Sequence, residues 1–298
     1  MQINIIKKLP YKIIFSLGMH GKFRFLSDET YLNLMYYCVF GRKLNLNNPQ
    51  TFNEKIQWLK LYNHNPLYTK LVDKYEVKSY VSSLIGEEHV IPTLGVWNSF
   101  DEIDFNTLPE KFVLKCTHDS GGLVICRDKS KLNYRVVKKK IEHSLKQNYY
   151  WIGREWPYKD VKPRIIAEQY MENINESSLI DYKFYCFNGI PKFLYVSQGL
   201  EDHRTARISF LTLEWKFAPY QRSDYCSFDE VPAMPVKFDG MIDVCKILSR
   251  KMQFLRVDLY EINGKIYFSE LTFSPSSGFM PLKRKEHDIE LGKMLDLV

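Results

Sequence analysis

The 298-residue chain contains no Cys-x-x-Cys pair, and its six cysteines, Cys38, Cys116, Cys126, Cys186, Cys226 and Cys245, are widely spaced. Neither a zinc site nor a disulfide framework is written in that pattern, which reads as buried free thiols in a reducing cytoplasm. No apolar run is long enough to span a bilayer. A short run at residues 13–17 is preceded by Lys7, Lys8 and Lys12, is followed by Lys22 and Arg24, and lacks a small-residue cleavage site. A secretory signal is therefore not expected. No Gly-Lys-Ser/Thr follows a glycine loop, so there is no Walker-type phosphate site. The chain has no internal repeat and no low-complexity tract. Its lysines are scattered, and Lys138-Lys139-Lys140 reads as the solvated face of a helix, so no nucleic-acid motif accompanies the basic charge.

What is present is the composition of a globular protein, 45% hydrophobic and 26% charged, long enough to bury a large core and divide into two or three lobes. Aromatic residues make up 15% and fit thick sheet cores. A formal charge of +7 and a pI near 8.9 favour an anionic partner such as a nucleotide, an acidic glycan or a lipid phosphate.

Residues 1–65 read as a helical front end. Ser27 or Asp28 can cap a helix over 31–40 that stops at Gly41, and Thr51-Phe52-Asn53-Glu54 is a capping box opening an amphipathic helix. Its basic residues, Lys7, Lys8, Lys12, Lys22, Arg24, Arg42 and Lys43, lie among apolar side chains. They could rest on a membrane-linked anionic acceptor or simply be solvated. After Pro66 the pattern predicts a helix carrying Leu71, Lys74 and Tyr75, a further helical stretch at 79–85 and a strand near 89–96. A strand, glycine loop and strand follow at 111–126, then a basic helix at 134–147, a strand at 164–169 and a polar linker at 173–178. Strands with a turn at Asn188-Gly189 fill 180–215, a proline-containing loop covers 219–239, and a helix at 241–253 precedes a hairpin at 254–273.

That hairpin carries Arg256, Asp258, Glu270 and Thr272. Strand alternation puts Leu255, Val257 and Leu259 on one face and Arg256 and Asp258 on the other. A two-residue Asn-Gly turn would send Asp258 and Glu270 to opposite faces. A three-residue loop, Ile262-Asn263-Gly264, keeps them together and sets Glu261 opposite Lys265, and this register is the expectation. A cation, two carboxylates and a hydroxyl on one face suit magnesium held against phosphates. A cross-strand salt bridge between Arg256 and Glu270 is the plainer reading. In the strand and loop near 115, Lys115 precedes Thr117, Ser120, Gly121 and Gly122, and such a tip can fold over phosphates with the lysine as a point charge.

The order of these features, Lys74, Lys115 with the Gly-Gly loop, Glu168-Gln169-Tyr170, Asp181-Tyr182-Lys183, Arg256-x-Asp258 and Glu270-x-Thr272, resembles the ATP-grasp superfamily. Within it, the segments beginning at Thr51, Asp73, Phe112, Asp181 and Glu270 are similar to the branch named for teichuronopeptide biosynthesis, over about residues 45–285. The resemblance implies an α+β fold in which two subdomains grip ATP between antiparallel sheets, with a core at 66–298 and a mobile lid near 110–168. It assigns Lys74 and Lys115 to nucleotide phosphates, Ser120, Gly121 and Gly122 to the lid loop, and Glu168 and Tyr170 to the adenine hinge. Asp181 would contact the ribose, Arg256 would be the transition-state cation, and Asp258 and Glu270 would bind magnesium. Thr272 replaces the asparagine of the usual Glu-x-Asn metal motif, and Lys183 and His118 have no firm counterpart and are placed on the phosphate or acceptor side.

The implied chemistry is amide formation through an acyl phosphate. The implied substrates are ATP, an amino acid and a uronic-acid-containing glycan or glycolipid of a bacterial surface polysaccharide, at a cytoplasmic site or one peripheral to the inner membrane face. Phosphotransfer to a glycan hydroxyl, a glycosyltransferase of polysaccharide assembly and a binding protein without turnover are the competing readings.

Overall fold

A computed structural model of the chain describes residues 10–173, 179–199 and 205–297. Lys7, Lys8 and all of the predicted polar linker except Asn173 lie outside those residues. Helices α1 (Tyr11–Met19), α2 (Asp28–Phe40) and α3 (Phe52–Tyr62) come first. Ser27 caps α2, Gly41 ends it in the left-handed conformation at φ 66°, and Thr51 and Glu54 form the expected capping box on α3.

Two short helices, α4 (Leu67–Val72) and α5 (Glu76–Ile85), take the place of the longer helix expected after Pro66. The break is built by Asp73, whose Oδ1 accepts from the backbone N–H groups of Tyr75 at 2.8 Å and Glu76 at 3.2 Å. Capping a new helix there is worth about 1 kcal/mol and outweighs continuing the old one. Lys74 thus stands between helices and not on one.

Strands β1 (Thr93–Trp97), β2 (Phe112–Cys116), β3 (Leu123–Cys126) and β4 (Ile165–Gln169) form an antiparallel sheet in the order β1-β4-β2-β3. Helix α6 (Tyr134–Leu145) covers it, burying Val137 and Ile141 against Phe112, Leu114 and Cys116. A short helix α7 (Tyr150–Gly153) leads back towards the body. The second sheet contains β5 (Asp181–Phe187), β6 (Ile190–Gln198), β7 (Arg207–Thr212), β8 (Phe254–Ile262) and β9 (Lys265–Thr272) in the antiparallel order β7-β6-β5-β8-β9.

One face of the large sheet, with Leu255, Val257, Leu259 and Phe184, packs on helix α8 (Phe238–Ser249) through Met241, Val244 and Leu248. The other face is divided. Tyr185, Phe187, Phe193 and Phe254 pack against Phe52, Ile56 and Leu59 of α3, while the next positions on the same strands, Arg256, Asp258, Lys183 and Asp181, carry charge. The front-end helix α3 therefore shares a core with the large sheet. The six cysteines are free, with Cys226 exposed, unlike the burial expected for it.

Helix α9 (Lys285–Lys293) closes against the start of α3. Asp288 Oδ1 accepts from the backbone N–H of Asn53 at 2.9 Å and from Asn53 Nδ2 at 3.0 Å. Gly292 permits this approach, because a Cβ there would collide with the Gln50 carbonyl oxygen. Inside a helix alanine is normally favoured over glycine by about 1 kcal/mol, so the sign of one substitution tests the packing. Gly292→Ala is expected to lower the urea midpoint, by the equivalent of about 2 kcal/mol; a raised midpoint would show that the α3–α9 contact is loose.

Candidate active site

The charged half of the large sheet is centred on Asp258, which has no exposed surface. Arg256 grips it bidentately, Nε to Oδ1 at 2.7 Å and Nη2 to Oδ2 at 2.7 Å, and Lys183 reaches Oδ2 at 2.7 Å from the neighbouring strand. Lys183 also pairs with Asp181 at 3.1 Å. Arg256 Nη2 donates to Thr272 Oγ1 at 2.9 Å, and Thr272 donates to Glu270 Oε1 at 3.3 Å. All six residues that the sequence assigned to this region are thus joined in one network. Arg256 and Glu270 are linked through Thr272, not by the direct salt bridge of the plainer reading.

Burial opposes ionisation of Asp258, but Arg256 and Lys183 outweigh it and hold the carboxyl below the ordinary aspartate range. Asp181 goes the other way. Burial, aided by the Asp258 charge, outweighs Lys183 and raises its pKa. Lys183 and Arg256 lose solvation on burial, yet their carboxylate partners hold both firmly protonated.

The hairpin reaches this arrangement by a route other than the expected one. Ile262 pairs with Lys265 and Glu261 with Ile266, so the loop is the two-residue turn Asn263-Gly264, with φ of 52° and 74°. The register then shifts between Asp258 and Leu259: Leu259 faces Phe268 but Asp258 faces Glu270, which leaves Ser269 as the extra residue of a β-bulge. The bulge restores the face that the short turn would have lost. The predicted three-residue loop is wrong, and its consequence for Asp258 and Glu270 holds.

At the lid, Gly121 has φ of 135° with open space around it, whereas a Cβ on Gly122 would lie 2.7 Å from Asp119 Oδ2 and 2.9 Å from Cys116 Cβ. Gly121 meets a backbone requirement and Gly122 a packing one. Asp119 Oδ2 accepts from the Gly122 N–H at 3.1 Å and from the Ser144 hydroxyl, and Lys74 Nζ donates to the Asp119 carbonyl. His118 is buried, with Nε2 bonded to the carbonyls of Ser144 at 3.2 Å and Gln147 at 3.0 Å, so it ties the loop to the end of α6. Ser120 and Gly121 form the exposed tip.

Lys115 Nζ lies 2.5 Å from Glu168 Oε2, and Lys78 on α5 contacts the other oxygen of the same buried carboxylate. Burial alone would raise the Glu168 pKa, but Lys115 and Lys78 reverse the effect and lower it. Burial lowers the pKa of Lys78 in turn. Lys78 was missed in the sequence, although it sits four residues beyond Lys74. The Tyr170 side chain turns outward, accepting from Arg127 Nε at 3.1 Å with Lys111 over its ring at 5.7 Å. Only the backbone of residue 170 is left for a hinge.

A further layer escaped sequence reading. After Thr272 the chain makes a turn in which Ser276, Ser277 and Gly278 all have positive φ, 51°, 53° and 71°. For the two serines that conformation costs about 1–2 kcal/mol each. It is held from below by α3: Gln57 Nε2 donates to the carbonyls of Ser277 at 3.1 Å and Gly278 at 2.7 Å, and buried Lys60 donates to Ser277 O at 2.8 Å and Gly153 O at 2.7 Å. Ser277 Oγ donates to Glu155 at 2.6 Å. Burial pushes the Lys60 amine down to about 7 and the Glu155 carboxyl up, each partner opposing the other's shift. Positive-φ serines carry no sequence signature, which is why the turn was not foreseen.

The residues present fit a magnesium nucleotide. Asp181 Oδ1 is buried without a partner, an orphaned acceptor of the kind a ribose hydroxyl would satisfy. Magnesium would be held by Glu270 and by the lone-pair capacity that Asp258 retains beyond three hydrogen bonds. Among the described residues no group of three or more metal-ligating His, Cys, Asp or Glu side chains exists.

A profile of the TupA-like ATP-grasp family matches residues 54–296. The chain belongs to that family and has its α+β ATP-grasp fold. Solved structures similar to it include D-alanine–D-alanine ligase from Bacillus anthracis complexed with ATP, 14% identical, with 68% of this chain and 55% of that one covered and a TM-score of 0.41. The D-Ala:D-Ser ligase VanG from Enterococcus faecalis is 13% identical, with 90% and 67% covered and a TM-score of 0.44. The ATP-grasp ligase PsnB, complexed with minimal precursor, Mg and ADP, is 9% identical, with 74% and 58% covered and a TM-score of 0.40. The chain thus spans little more than half of the Bacillus anthracis ligase. No curated protein matches it.

The opposite shifts of the two aspartates give opposite expectations. Asp258, depressed in the fold, contributes stability that is present above its unfolded value near 4 and is lost as pH falls through the lower folded value. Asp181 is raised, so its ionisation at neutral pH opposes folding. In urea denaturation at pH 7, Asp258→Asn is expected to lose about 3 kcal/mol or more, and Asp181→Asn to gain stability. Equal losses in the two variants would refute this assignment.

Proposed function

We propose that the protein is an ATP-dependent carboxylate–amine ligase that forms an amide between an amino acid and the carboxyl group of a uronic acid in a bacterial surface polysaccharide. The observation that carries the reading is the network on the large sheet, in which buried Asp258 fixes Arg256 and Lys183 beside buried Thr272 and half-buried Glu270. Such a group neutralises a transferring phosphoryl group without a protein nucleophile.

The uronate carboxylate attacks the γ-phosphorus, ADP leaves, and an acyl phosphate forms. The amine then attacks the acyl carbon, inorganic phosphate leaves with its bonding pair, and the amine proton passes to solvent or phosphate. Arg256 meets the charge developing on the phosphoryl oxygens. Lys183, engaged by two carboxylates, orients Asp258 and Asp181. Asp181 receives the ribose, the backbone at Glu168 and Tyr170 borders the adenine, and Lys74 and Lys115 bind phosphates once these compete with Asp119 O and Glu168. Magnesium, when bound, supplies charge neutralisation on the nucleotide phosphates. Closure of the Ser120-Gly121-Gly122 tip excludes water that would hydrolyse the acyl phosphate.

The large anionic acceptor is supported by exposed Lys12 on α1 and exposed Lys22 and Arg24 in the turn between α1 and α2, beside exposed Tyr11, Ile13 and Phe25. That surface suits a glycan or a lipid-linked glycan at a membrane face. Among the described residues no helix is long and apolar enough to cross a membrane.

The test is ADP release from purified protein with ATP and magnesium, challenged with amino acids and uronic-acid glycans. ADP and phosphate should appear only when amine and carboxylate are both present, and Glu270→Gln should reduce kcat by about 100-fold, comparable to the loss of one transition-state charge contact. Transfer to a glycan without a carboxylate would instead indicate a kinase. With the same assay, Lys12→Gln/Lys22→Gln is expected to raise KM for the glycan several-fold while leaving KM for ATP unchanged; equal rises would remove the acceptor role of the front end.

A further inference from the structure

Arg222 lies on the loop after β7, and the functional reading so far gives it no role. Its side chain is only 10% exposed. Nε and Nη2 grip Asp224 at 2.8 and 2.7 Å, and Nη1 donates to Ser276 Oγ at 3.1 Å. A guanidinium has five N–H donors in a rigid plane. Three are engaged by these contacts, so two remain. Asp224 fixes the plane from the more exposed side, where water screens its charge.

Ser276 is the exposed member of the positive-φ turn, while Ser277 beneath it is buried against Glu155 and Lys60. Four hydrogen bonds from Gln57, Lys60 and Ser277 hold a conformation that serine disfavours. Their combined effect is to present one hydroxyl beside one guanidinium. Strain over-determined by its surroundings is characteristic of ligand clamps.

The pair adjoins the network along the chain, since Ser276 follows by four residues the Thr272 that accepts from Arg256. Arg256 is 5.8 Å from the Tyr195 ring, and the charges of Arg222 and Arg256 both act on the Tyr185 phenol. Arg256 and Lys183 are committed to Asp258. Arg222 is a further cation, with donors to spare, bonded to the turn that follows Thr272.

We propose that Arg222 and Ser276 form the docking point for the non-reacting carboxylate of the amine substrate. The inference rests on the ligase reading and deepens it. An amino acid has two polar ends, and only its amine attacks. Holding the carboxylate at Arg222 aims the amine at the acyl phosphate and keeps the amino acid's own carboxylate away from the γ-phosphate. Two parallel N–H donors match a carboxylate in a way a lysine could not.

The full chain, saturated with AMP-PNP and magnesium, is dialysed to equilibrium against labelled common amino acids, their methyl esters, and glucuronate and galacturonate. Wild type is expected to retain at least one amino acid and to bind its ester, which lacks the negative charge, about 10-fold less tightly or weaker. Arg222→Met should weaken retention about 10-fold to 100-fold, as expected for hydrogen bonds to a charged group, with AMP-PNP affinity unchanged. Ser276→Ala, which removes one contact and relieves no fold-holding bond, should weaken it several-fold and serves if Arg222→Met lowers the urea midpoint.

Several outcomes would overturn the proposal: amino-acid binding indifferent to both variants, dependence on Arg222 for the uronates alone, or loss of AMP-PNP affinity in Arg222→Met, which would make Arg222 a phosphate cation. Wild type that binds AMP-PNP and no amino acid would sink the docking point and leave the ATP-grasp site standing. Failure to bind AMP-PNP at all would remove the ligase reading itself.

Discussion

The arrangement depends on one fully buried carboxylate. Asp258 is tolerable in the interior because two cations from two strands reach it, and neither cation would be tolerable there without it. This mutual requirement fixes how β5 lies against β8, since Lys183 must stand directly opposite Asp258. It also fixes Arg256 in one rotamer, so that its remaining edge meets Thr272 and the end of β9. The apolar half of the same face packs on α3, beside the charged half on the same strands.

Two supports work from outside that network. The small sheet carries its own core under α6, and Asp119, His118 and Lys74 tie down the base of its glycine loop. The front-end helices act in the opposite direction. Arg154, fully buried between the rings of Trp151 at 4.5 Å and Tyr31 at 4.7 Å, donates to the Phe23 carbonyl at 2.9 Å and locks α2 to the segment before Glu155. Through Lys60 and Gln57 the same helices hold the turn after Thr272.

Much of this was legible in the sequence because it depends on local pattern. Alternation in 254–262 put Arg256 and Asp258 on one face, the Thr51 capping box opened α3 where expected, and the glycines at 121 and 122 marked the loop between β2 and β3. What was illegible depends on contacts distant in sequence or on backbone states that no residue type announces. Lys78 and Lys115 meet at Glu168 only through the tertiary contact of α5 with the small sheet. Asp73 breaks a helix that propensity would continue, because its carboxylate serves both Tyr75 and Arg164. Ser276 and Ser277 occupy the left-handed region under compulsion from Gln57, Lys60 and Glu155, and nothing in Ser-Pro-Ser-Ser says so.

The bulge at Ser269 has a consequence for how the protein can change over evolutionary time. Because strand side chains alternate, the face that Glu270 occupies depends on the number of residues separating it from the Asn263-Gly264 turn. A regular ladder that kept every residue would set Glu270 opposite Val257 and swing the carboxylate to the side packed on α8, whereas loss of Ser269 would remove the bulge and leave Glu270 opposite Asp258. The bulge therefore absorbs one residue of chain length, and lineages that keep the site should tolerate both substitution at Ser269 and its deletion.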